Sequence, residues 1–262
     1  MSAILLDGSI VHYEVLGRGR PIIFLHGWIG SWRYWISSMQ VTSTLFRSYA
    51  IDLWGFGDTA QRKEGYSIPN QALLVRRFME DMGIGKVALI GHSLGGLVAF
   101  RFAARWPELV DRLMVINTPL DEVSLSTRWV NTSLPDLLNW LSARLPDAQN
   151  ALADALRADP QALLTSIQTT TFSRLFHEML ATRIPCLLVY GENDPAVTFP
   201  SFEQVLAWPS YVHQILLDDA GHFPMLDQPA RFQRLLVDFL ALPSGESPRE
   251  LQLKEEWHRR VR

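Results

Sequence analysis

The 262-residue sequence contains a single cysteine, which excludes a disulfide bond within the chain. This cysteine, Cys186, lies in an apolar run, and that setting predicts a packed core thiol rather than a reactive one. Scarce cysteine is typical of proteins that work in a reducing compartment. The sequence therefore gives no indication of a fold held together by disulfide bonds.

A surplus of charge and a long apolar run are also missing. The net charge is −3 and the pI is about 6.2, so we expect no nucleic-acid partner. No run approaches the roughly 18 uncharged apolar residues that cross a bilayer, so we expect no membrane association. The first apolar stretch lacks a basic segment and is interrupted by Asp7, unlike a secretory signal. Together these features predict a cytoplasmic protein.

Short apolar runs alternate with helical patterns along most of the chain. Asp7-Gly8-Ser9 separates two apolar runs and predicts a hairpin turn. Further along, the spacing predicts a helix over 72–82 and a strand over 113–117. With 48% hydrophobic residues, the chain can fill a sizeable core. Strands that alternate with helices predict a mostly parallel sheet covered on both faces.

One segment interrupts this alternation, because residues 121–183 contain helical patterns and prolines but no good strand. We expect residues 1–120 and 184–245 to form the core and 121–183 to form a helical cap over the carboxyl ends of the strands. Residues 246–262 are expected to form a C-terminal helical extension that packs on its own domain or on a second subunit. The protein is therefore expected to be a monomer or a homodimer.

A candidate nucleophile lies in Gly91-His92-Ser93-Leu94-Gly95, between a predicted strand and a predicted helix. The pattern Gly-x-Ser-x-Gly in this setting is typical of a sharp turn that presents a reactive serine. The flanking glycines leave room for the strained turn, and the helix N-terminus favours negative charge. The pattern predicts that Ser93 is a catalytic nucleophile.

A serine hydroxyl needs a general base, which must itself be oriented by a third group. His222 follows the last predicted strand and is the preferred base. Asp194 follows the preceding strand and is the preferred acid, which gives the chain order Ser, Asp, His. Other carboxylates remain as alternatives for the acid, namely Glu192, Asp121, Glu122, Asp218 and Asp219.

Attack on a carbonyl creates an oxyanion that requires preorganised donors. The backbone amides of Leu94 and Trp28 are the expected donors, and His26 is expected to orient its loop rather than act as a base. Several side chains near the strand ends or, for Trp129, in the predicted cap are candidates for the substrate pocket: His26, Trp32, Trp54, Trp129 and Phe223. No cationic residue is placed by the sequence to bind a carboxylate or phosphate, although Arg33 and Arg128 can approach the site.

These motifs together resemble the α/β-hydrolase superfamily, most closely its branch of small serine esterases, C–C bond hydrolases and cofactor-free haloperoxidases. The resemblance covers about residues 8–241 and rests on five segments: His26-Gly27-Trp28, Asp52 to Gly57, Gly91 to Gly96, Gly191 to Pro195 and Gly221 to Pro224. It implies an eight-stranded, mostly parallel sheet with a helical cap. We expect neither a cofactor nor a metal. Asp58 stands where many relatives carry serine. Relatives that open epoxides or cleave carbon–halogen bonds use an aspartate nucleophile, so Ser93 argues against both reactions.

The expected reaction is hydrolysis of a small to medium, largely apolar carboxylic ester through an acyl-enzyme intermediate. The same triad can serve a C–C bond hydrolase or a cofactor-free perhydrolase, and these remain alternatives. An alternative from another class is a ligand-binding receptor with vestigial hydrolase activity. Such a receptor would bind its ligand tightly with negligible turnover.

Overall fold

Eight strands form one sheet in the computed structural model, which describes residues 2–143 and 152–253. Their apolar residues are buried on both faces at the centre of the sheet, as expected for parallel strands covered by helices. The strands are β1 (Ser2–Leu6), β2 (Ser9–Gly17), β3 (Arg20–Leu25), β4 (Phe46–Ile51), β5 (Val87–His92), β6 (Val110–Ile116), β7 (Cys186–Gly191) and β8 (Val212–Leu217).

The order of the strands is β1-β2-β4-β3-β5-β6-β7-β8. The pairs β1–β2 and β2–β4 are antiparallel, and the other five pairs are parallel. Leu25 pairs with Gly91, and Gly191 pairs with Leu217, so the parallel strands end along one edge of the sheet. The predicted fold class is confirmed. The loops that carry the predicted catalytic residues follow the strands at this edge.

The predicted hairpin turn is confirmed between β1 and β2. Asp7 and Gly8 have φ values of 49° and 77°, both in the left-handed region. This geometry is typical of the tight turn that Asp-Gly sequences favour.

Helices pack in two groups against the sheet. One group contains the helices Ile68–Asp81, Leu94–Arg105 and Phe172–Leu180, and the other contains the neighbouring helices Ile36–Thr42 and Pro229–Ala241. The α-helices of the described residues are α1 (Ile36–Thr42), α2 (Ile68–Asp81), α3 (Leu94–Arg105), α4 (Arg128–Asn131), α5 (Leu134–Leu141), α6 (Pro160–Gln168), α7 (Phe172–Leu180), α8 (Phe202–Leu206), α9 (Pro224–Asp227) and α10 (Pro229–Ala241). Short 3₁₀ helices occupy Trp32–Trp35, Lys63–Gly65, Pro107–Leu109, Ala155–Arg157 and Pro248–Leu253.

Two predicted boundaries need correction. Helix α2 begins at Ile68 rather than at residue 72, because the extended Ser67 and the proline in the first turn start the helix earlier. Strand β6 begins at Val110 rather than at residue 113, because Val110 pairs with Val87 of β5. Both predictions start too late, because polar residues near the beginning of the helix or strand interrupt its apolar pattern.

The segment between β6 and β7 contains α4 to α7, as the helical pattern predicts. Helix α7 packs on α3, where the rings of Phe176 and Phe100 lie 5.7 Å apart between centroids. The last helix of the predicted cap therefore joins the helix layer of the core. The exact division into core, cap and extension stays a prediction.

The C-terminal extension is described only at its start, where Pro248–Leu253 form a 3₁₀ helix in place of the α-helical turn that the sequence predicts. The rest of the predicted amphipathic helix, residues 254–262, lies outside the described residues.

Cys186 is fully buried in β7 and is not bonded to another cysteine, which confirms the prediction of a packed core thiol. Burial raises the pKa of this thiol, so it stays protonated and unreactive at neutral pH. In the described part of the chain, none of the helices combines the length and the apolar character needed to cross a membrane.

Candidate active site

Ser93 lies on a strained turn between β5 and α3. Its φ of 52° and ψ of −111° are unusual for a residue with a side chain. A side chain at Gly91 would overlap the carbonyl oxygen of Gly95, and one at Gly95 would overlap that of Leu25. The small residues on both sides of Ser93 are therefore required by close backbone contacts, as the pattern predicts.

The backbone of Ser93 is fixed, while its hydroxyl group is left without a partner. Its N–H donates to the Ile116 carbonyl at 2.8 Å, and Thr118 Oγ1 donates to its carbonyl at 3.1 Å. Ser93 Oγ is buried and has no hydrogen-bond partner among the described residues. A buried polar group without a partner requires an explanation, and His222 does not supply a hydrogen bond to this hydroxyl in the described residues.

The side chains predicted to be the base and the acid, His222 and Asp194, lie against each other. His222 Nδ1 lies 2.9 Å from Asp194 Oδ2, and both side chains are 1% exposed. The other carboxylate oxygen, Oδ1, accepts the N–H of Ala196 at 2.8 Å. Because a carboxylate only accepts, Nδ1 carries a proton, and Nε2 is the ring nitrogen that does not bind the carboxylate.

Of the candidate acids, Asp194 is the one that pairs with His222 in the described part of the chain. Asp218 lies 3.5 Å from Arg231, and Glu192 is exposed to solvent. Asp121 accepts the N–H of Ser124 at 2.8 Å in its own turn. The geometry thus favours Asp194 as the acid.

The two predicted oxyanion donors have free N–H groups. Leu94 is the first residue of α3, where a helix leaves its amides without intrahelical acceptors. Trp28 lies in the loop of residues 26–31, which follows β3 and is called the β3 loop below. Neither amide donates to another described residue, whereas the N–H of Gly27 donates to the hydroxyl of Tyr34.

His26 holds the β3 loop with both ring nitrogens. Nδ1 donates to the Gly27 carbonyl at 2.8 Å, and Nε2 accepts the Leu53 N–H at 3.0 Å. Burial lowers the pKa of His26, which favours the neutral ring that this arrangement needs. These contacts support a loop-orienting role and leave no ring nitrogen for a substrate.

Two of the predicted pocket residues border the base. The ring of Trp129 lies 5.5 Å from that of His222 and 5.0 Å from that of Trp28, between centroids. The ring of Phe223 lies 5.2 Å from that of His222. The rings of Trp129 and Phe223 therefore form an apolar surface next to His222.

The other two aromatic candidates lie against different partners. The ring of Trp32 lies 5.8 Å from that of His12, and the guanidinium of Arg62 lies 5.6 Å from the Trp54 ring. The sequence alone does not separate these tryptophans from Trp129, because no local pattern marks the one that lies beside His222.

Asn117 is a site residue that the sequence reasoning missed. Its side-chain amide donates to the Gly221 carbonyl at 2.8 Å and accepts the Gly191 N–H at 2.8 Å. Asn117 therefore ties the loop of the acid to the loop of the base. Its position directly after β6, beside the other catalytic strand ends, was the available signal.

Asp52, directly after β4, contacts the start of the 3₁₀ helix that follows the β3 loop. Its Oδ1 accepts the Trp32 N–H at 2.8 Å, and its Oδ2 contacts His12 Nδ1 at 2.8 Å and the Asp58 N–H at 3.1 Å. His12, Asp52 and Asp58 are near enough to one another to hold a metal ion. The oxygens of Asp52 are already used, so the cluster fits a structural role.

Asp154 connects the segment after β6 to the β3 loop. Its carboxylate lies 3.0 Å from Ser31 Oγ and 2.5 Å from Arg33 Nε. Arg157 contacts Asp154 at 3.2 Å and Asp58 at 2.6 Å. Asp58, which stands where many relatives carry serine, therefore provides a second ionic contact for Arg157. These interactions hold the 3₁₀ helix Ala155–Arg157 beside the loop that carries Trp28.

The sheet order, the strained serine turn and the histidine–aspartate pair define a hydrolase of the α/β type. The family model described as the alpha/beta hydrolase family matches residues 22–235, and the chain belongs to this family.

Several differently named proteins are similar to this chain in sequence or in structure. A soluble epoxide hydrolase from Corynebacterium sp. (strain C12) is 36% identical over 113 residues, a match that covers 43% of this chain and only 40% of that protein. Human epoxide hydrolase 4 is 26% identical over 280 residues, covering 89% of this chain and 76% of that protein. The structure of the N-acyl homoserine lactonase AidH complexed with N-butanoyl homoserine has a TM-score of 0.79 at 20% identity, covering 91% of this chain and 95% of the other. At that identity the structural likeness shows the fold alone.

Proposed function

We propose that this chain is a serine hydrolase that cleaves a small to medium, largely apolar carboxylic ester through an acyl-enzyme intermediate. The observation that carries the proposal is the unpaired, buried hydroxyl of Ser93 together with the His222–Asp194 pair at neighbouring strand ends. A nucleophile, an oriented base and an acid in this order are what acyl transfer requires.

In the acylation step, Ser93 Oγ attacks the ester carbonyl carbon, and His222 Nε2 takes the hydroxyl proton. Asp194 holds the ring and stabilises the imidazolium that forms, without taking the proton itself. His222 then returns the proton to the alkoxide that leaves, and an acyl group remains on Ser93.

The backbone amides of Trp28 and Leu94 donate to the oxyanion of the tetrahedral intermediate. Water, activated by His222, then attacks the acyl carbonyl and releases the carboxylic acid. The buried setting of Ser93 strengthens these interactions because it excludes bulk water.

The charges around the site support an uncharged substrate. Arg33 is paired with Asp154, and the guanidinium of Arg128 lies 4.9 Å from the Trp140 ring. The two arginines that the sequence offered for binding a carboxylate are therefore engaged. The rings of Trp28, Trp129 and Phe223 near the base supply an apolar surface for the acyl or alcohol group.

The epoxide hydrolases among the relatives do not alter this proposal. A carboxylate that opens an epoxide forms an ester, which water can hydrolyse. A serine hydroxyl would form an alkyl ether at Ser93, which has no carbonyl for water to attack. Epoxide opening through Ser93 would therefore stop after one turnover.

The test is a panel of p-nitrophenyl esters of increasing acyl length with the wild type and Ser93→Ala, and styrene oxide as an additional substrate. We expect ester turnover by the wild type, its loss in Ser93→Ala, and no turnover of the epoxide. Equal ester turnover by both proteins contradicts the mechanism. Tight ligand binding with negligible turnover would instead favour a receptor.

A further inference from the structure

Tyr34 and His92 are buried polar residues that the acyl-transfer steps do not use. Tyr34 is 2% exposed and His92 is 1% exposed. A buried polar group without partners is costly, so the partners of these two side chains show why they are tolerated.

The two side chains form a continuous hydrogen-bonded chain between two catalytic loops. The N–H of Gly27 donates to the Tyr34 hydroxyl, which lies 3.0 Å from His92 Nδ1. His92 Nε2 lies 2.7 Å from the carbonyl oxygen of His222. Because a carbonyl only accepts, Nε2 carries the proton, so Nδ1 accepts from Tyr34.

Burial determines the protonation states of Tyr34 and His92. It lowers the pKa of His92, with a further contribution from His222, and it raises the pKa of Tyr34. His92 therefore stays neutral and Tyr34 stays protonated near neutral pH. The hydrogen bonds run in one direction, from the β3 loop through the end of β5 to residues 218–223 after β8, called the β8 loop below.

We propose that Tyr34 and His92 are positioning residues that couple the β3 loop to the β8 loop. The inference rests on the proposed function, in which these loops supply an oxyanion donor and the base. The N–H of Gly27 is used by Tyr34, so the N–H of Trp28 is the one left for the oxyanion. Asp194 orients the side chain of His222, while His92 holds its backbone from another side.

Three substitutions test the separate hydrogen bonds that link Gly27, Tyr34, His92 and His222. Tyr34→Phe removes both hydrogen bonds of the hydroxyl. His92→Asn keeps an acceptor near the position of Nδ1 but loses the donor to the His222 carbonyl. His92→Gln keeps a donor that reaches the position of Nε2. Tyr211→Phe is the matched control, because it removes one hydroxyl that donates to the Leu180 carbonyl at 2.7 Å.

We expect Tyr34→Phe and His92→Asn to lower kcat about 10- to 100-fold while KM changes less than about threefold, since small displacements of catalytic groups reduce turnover. His92→Gln should retain more kcat than His92→Asn, because it preserves the contact with His222. Tyr211→Phe should keep wild-type kcat. A purely structural role would instead lower the melting temperature in all these variants without separating kcat from KM.

Amide hydrogen exchange gives a measurement that does not depend on activity. Tyr34→Phe should accelerate exchange in peptides that contain the β3 loop and in those that contain the β8 loop, and Tyr211→Phe should not. Wild-type kcat in Tyr34→Phe, or unchanged exchange in its β8 loop, overturns the coupling. If the wild type and Ser93→Ala hydrolyse esters equally, the proposed function fails, whereas the exchange data still decide whether the loops are coupled.

Discussion

At the scale of single residues, the carboxylate of Asp194 decides which nitrogen of His222 carries the proton. Asp194→Asn replaces an acceptor with an amide that can donate to Nδ1, which would leave the proton on Nε2. We therefore expect kcat for p-nitrophenyl esters to fall about 10³- to 10⁴-fold, as removal of the triad acid does in other serine hydrolases. Steady-state kinetics with the purified variant measures this loss.

The matched controls are Glu192→Gln and Asp218→Asn, which neutralise two other candidate acids near the same strand ends. Both carboxylates lie away from the His222 ring, so we expect kcat to stay within about twofold of the wild type. A large loss in Glu192→Gln together with an active Asp194→Asn would move the role of the acid to Glu192.

Asn117 supports a second prediction at this scale. Asn117→Ala leaves the Gly191 N–H and the Gly221 carbonyl unpaired, and it places alanine at a φ of 42°. We expect the free energy of unfolding to fall by about 1–3 kcal/mol, measured by urea denaturation, and kcat to fall as well. Asn131→Ala is the control, because its exposed amide makes one local bond at 3.0 Å. A loss as large in the control would remove the special role of Asn117.

The sequence predicted Ser93, His222 and Asp194 because each belongs to a short local pattern at a strand end. No roles were predicted for Tyr34, His92 and Asn117, because each of them makes a contact with a residue that is distant in the chain. The contact of His92 with the His222 carbonyl spans 130 positions, and that of Asn117 with Gly221 spans 104. No local pattern encodes such contacts, since they depend on the order of strands in the sheet.

At the scale of elements, the 3₁₀ helix Ala155–Arg157 is attached to the β3 loop through Asp154. Burial alone would raise the pKa of Asp154, but hydrogen bonds from Arg33 and Ser31 and the charge of Arg33 outweigh it and lower the pKa. A lowered pKa in the folded state stabilises the fold above the unfolded value of about 3.9, and this stabilisation is lost as the pH falls through the folded value.

Asp154→Asn should therefore lower the free energy of unfolding by about 1–2 kcal/mol at pH 7, because an amide is a poorer partner for Arg33. The difference from the wild type should shrink as the pH falls below about 4, where the wild-type carboxylate also becomes neutral. Urea denaturation at pH 7, 5, 4 and 3 measures both effects. Arg157→Gln is the comparison: its side chain is 55% exposed, so we expect a change below about 1 kcal/mol. A pH-independent difference for Asp154→Asn would contradict the role of its charge.

The sequence predicted the existence of the inserted helices better than their packing. Periodicity shows that a helix such as α7 has an apolar face, but it does not show which neighbour covers that face. In the structure, α3 covers part of it, and Arg101 of α3 pairs with Glu178 of α7 at 3.1 Å. The limits of the predicted cap depend on this long-range choice.

At the scale of the whole molecule, Ser93 is enclosed by elements from both sides of the candidate site. Ser93 is fully buried, the side chain of Trp129 is buried beside His222, and that of Trp28 is buried against Trp129. A substrate must therefore displace part of this cover before it reaches Ser93. Trp28 belongs to the β3 loop, and its indole donates to Ser166 Oγ of α6 at 2.7 Å.

Ser166→Ala should weaken this attachment and make opening easier. A net hydrogen bond of about 1 kcal/mol corresponds to a roughly three- to tenfold change in the population of open molecules. We therefore expect Ser93 to react faster with a bulky fluorophosphonate by about that factor, with a smaller gain for a compact one, which needs less opening. Thr170→Val is the control, because it removes a hydroxyl that donates to the Ser166 carbonyl at 2.6 Å and does not touch Trp28. Equal gains for both reagents, or an equal gain in Thr170→Val, would mean that the bond between Trp28 and Ser166 does not limit access to Ser93.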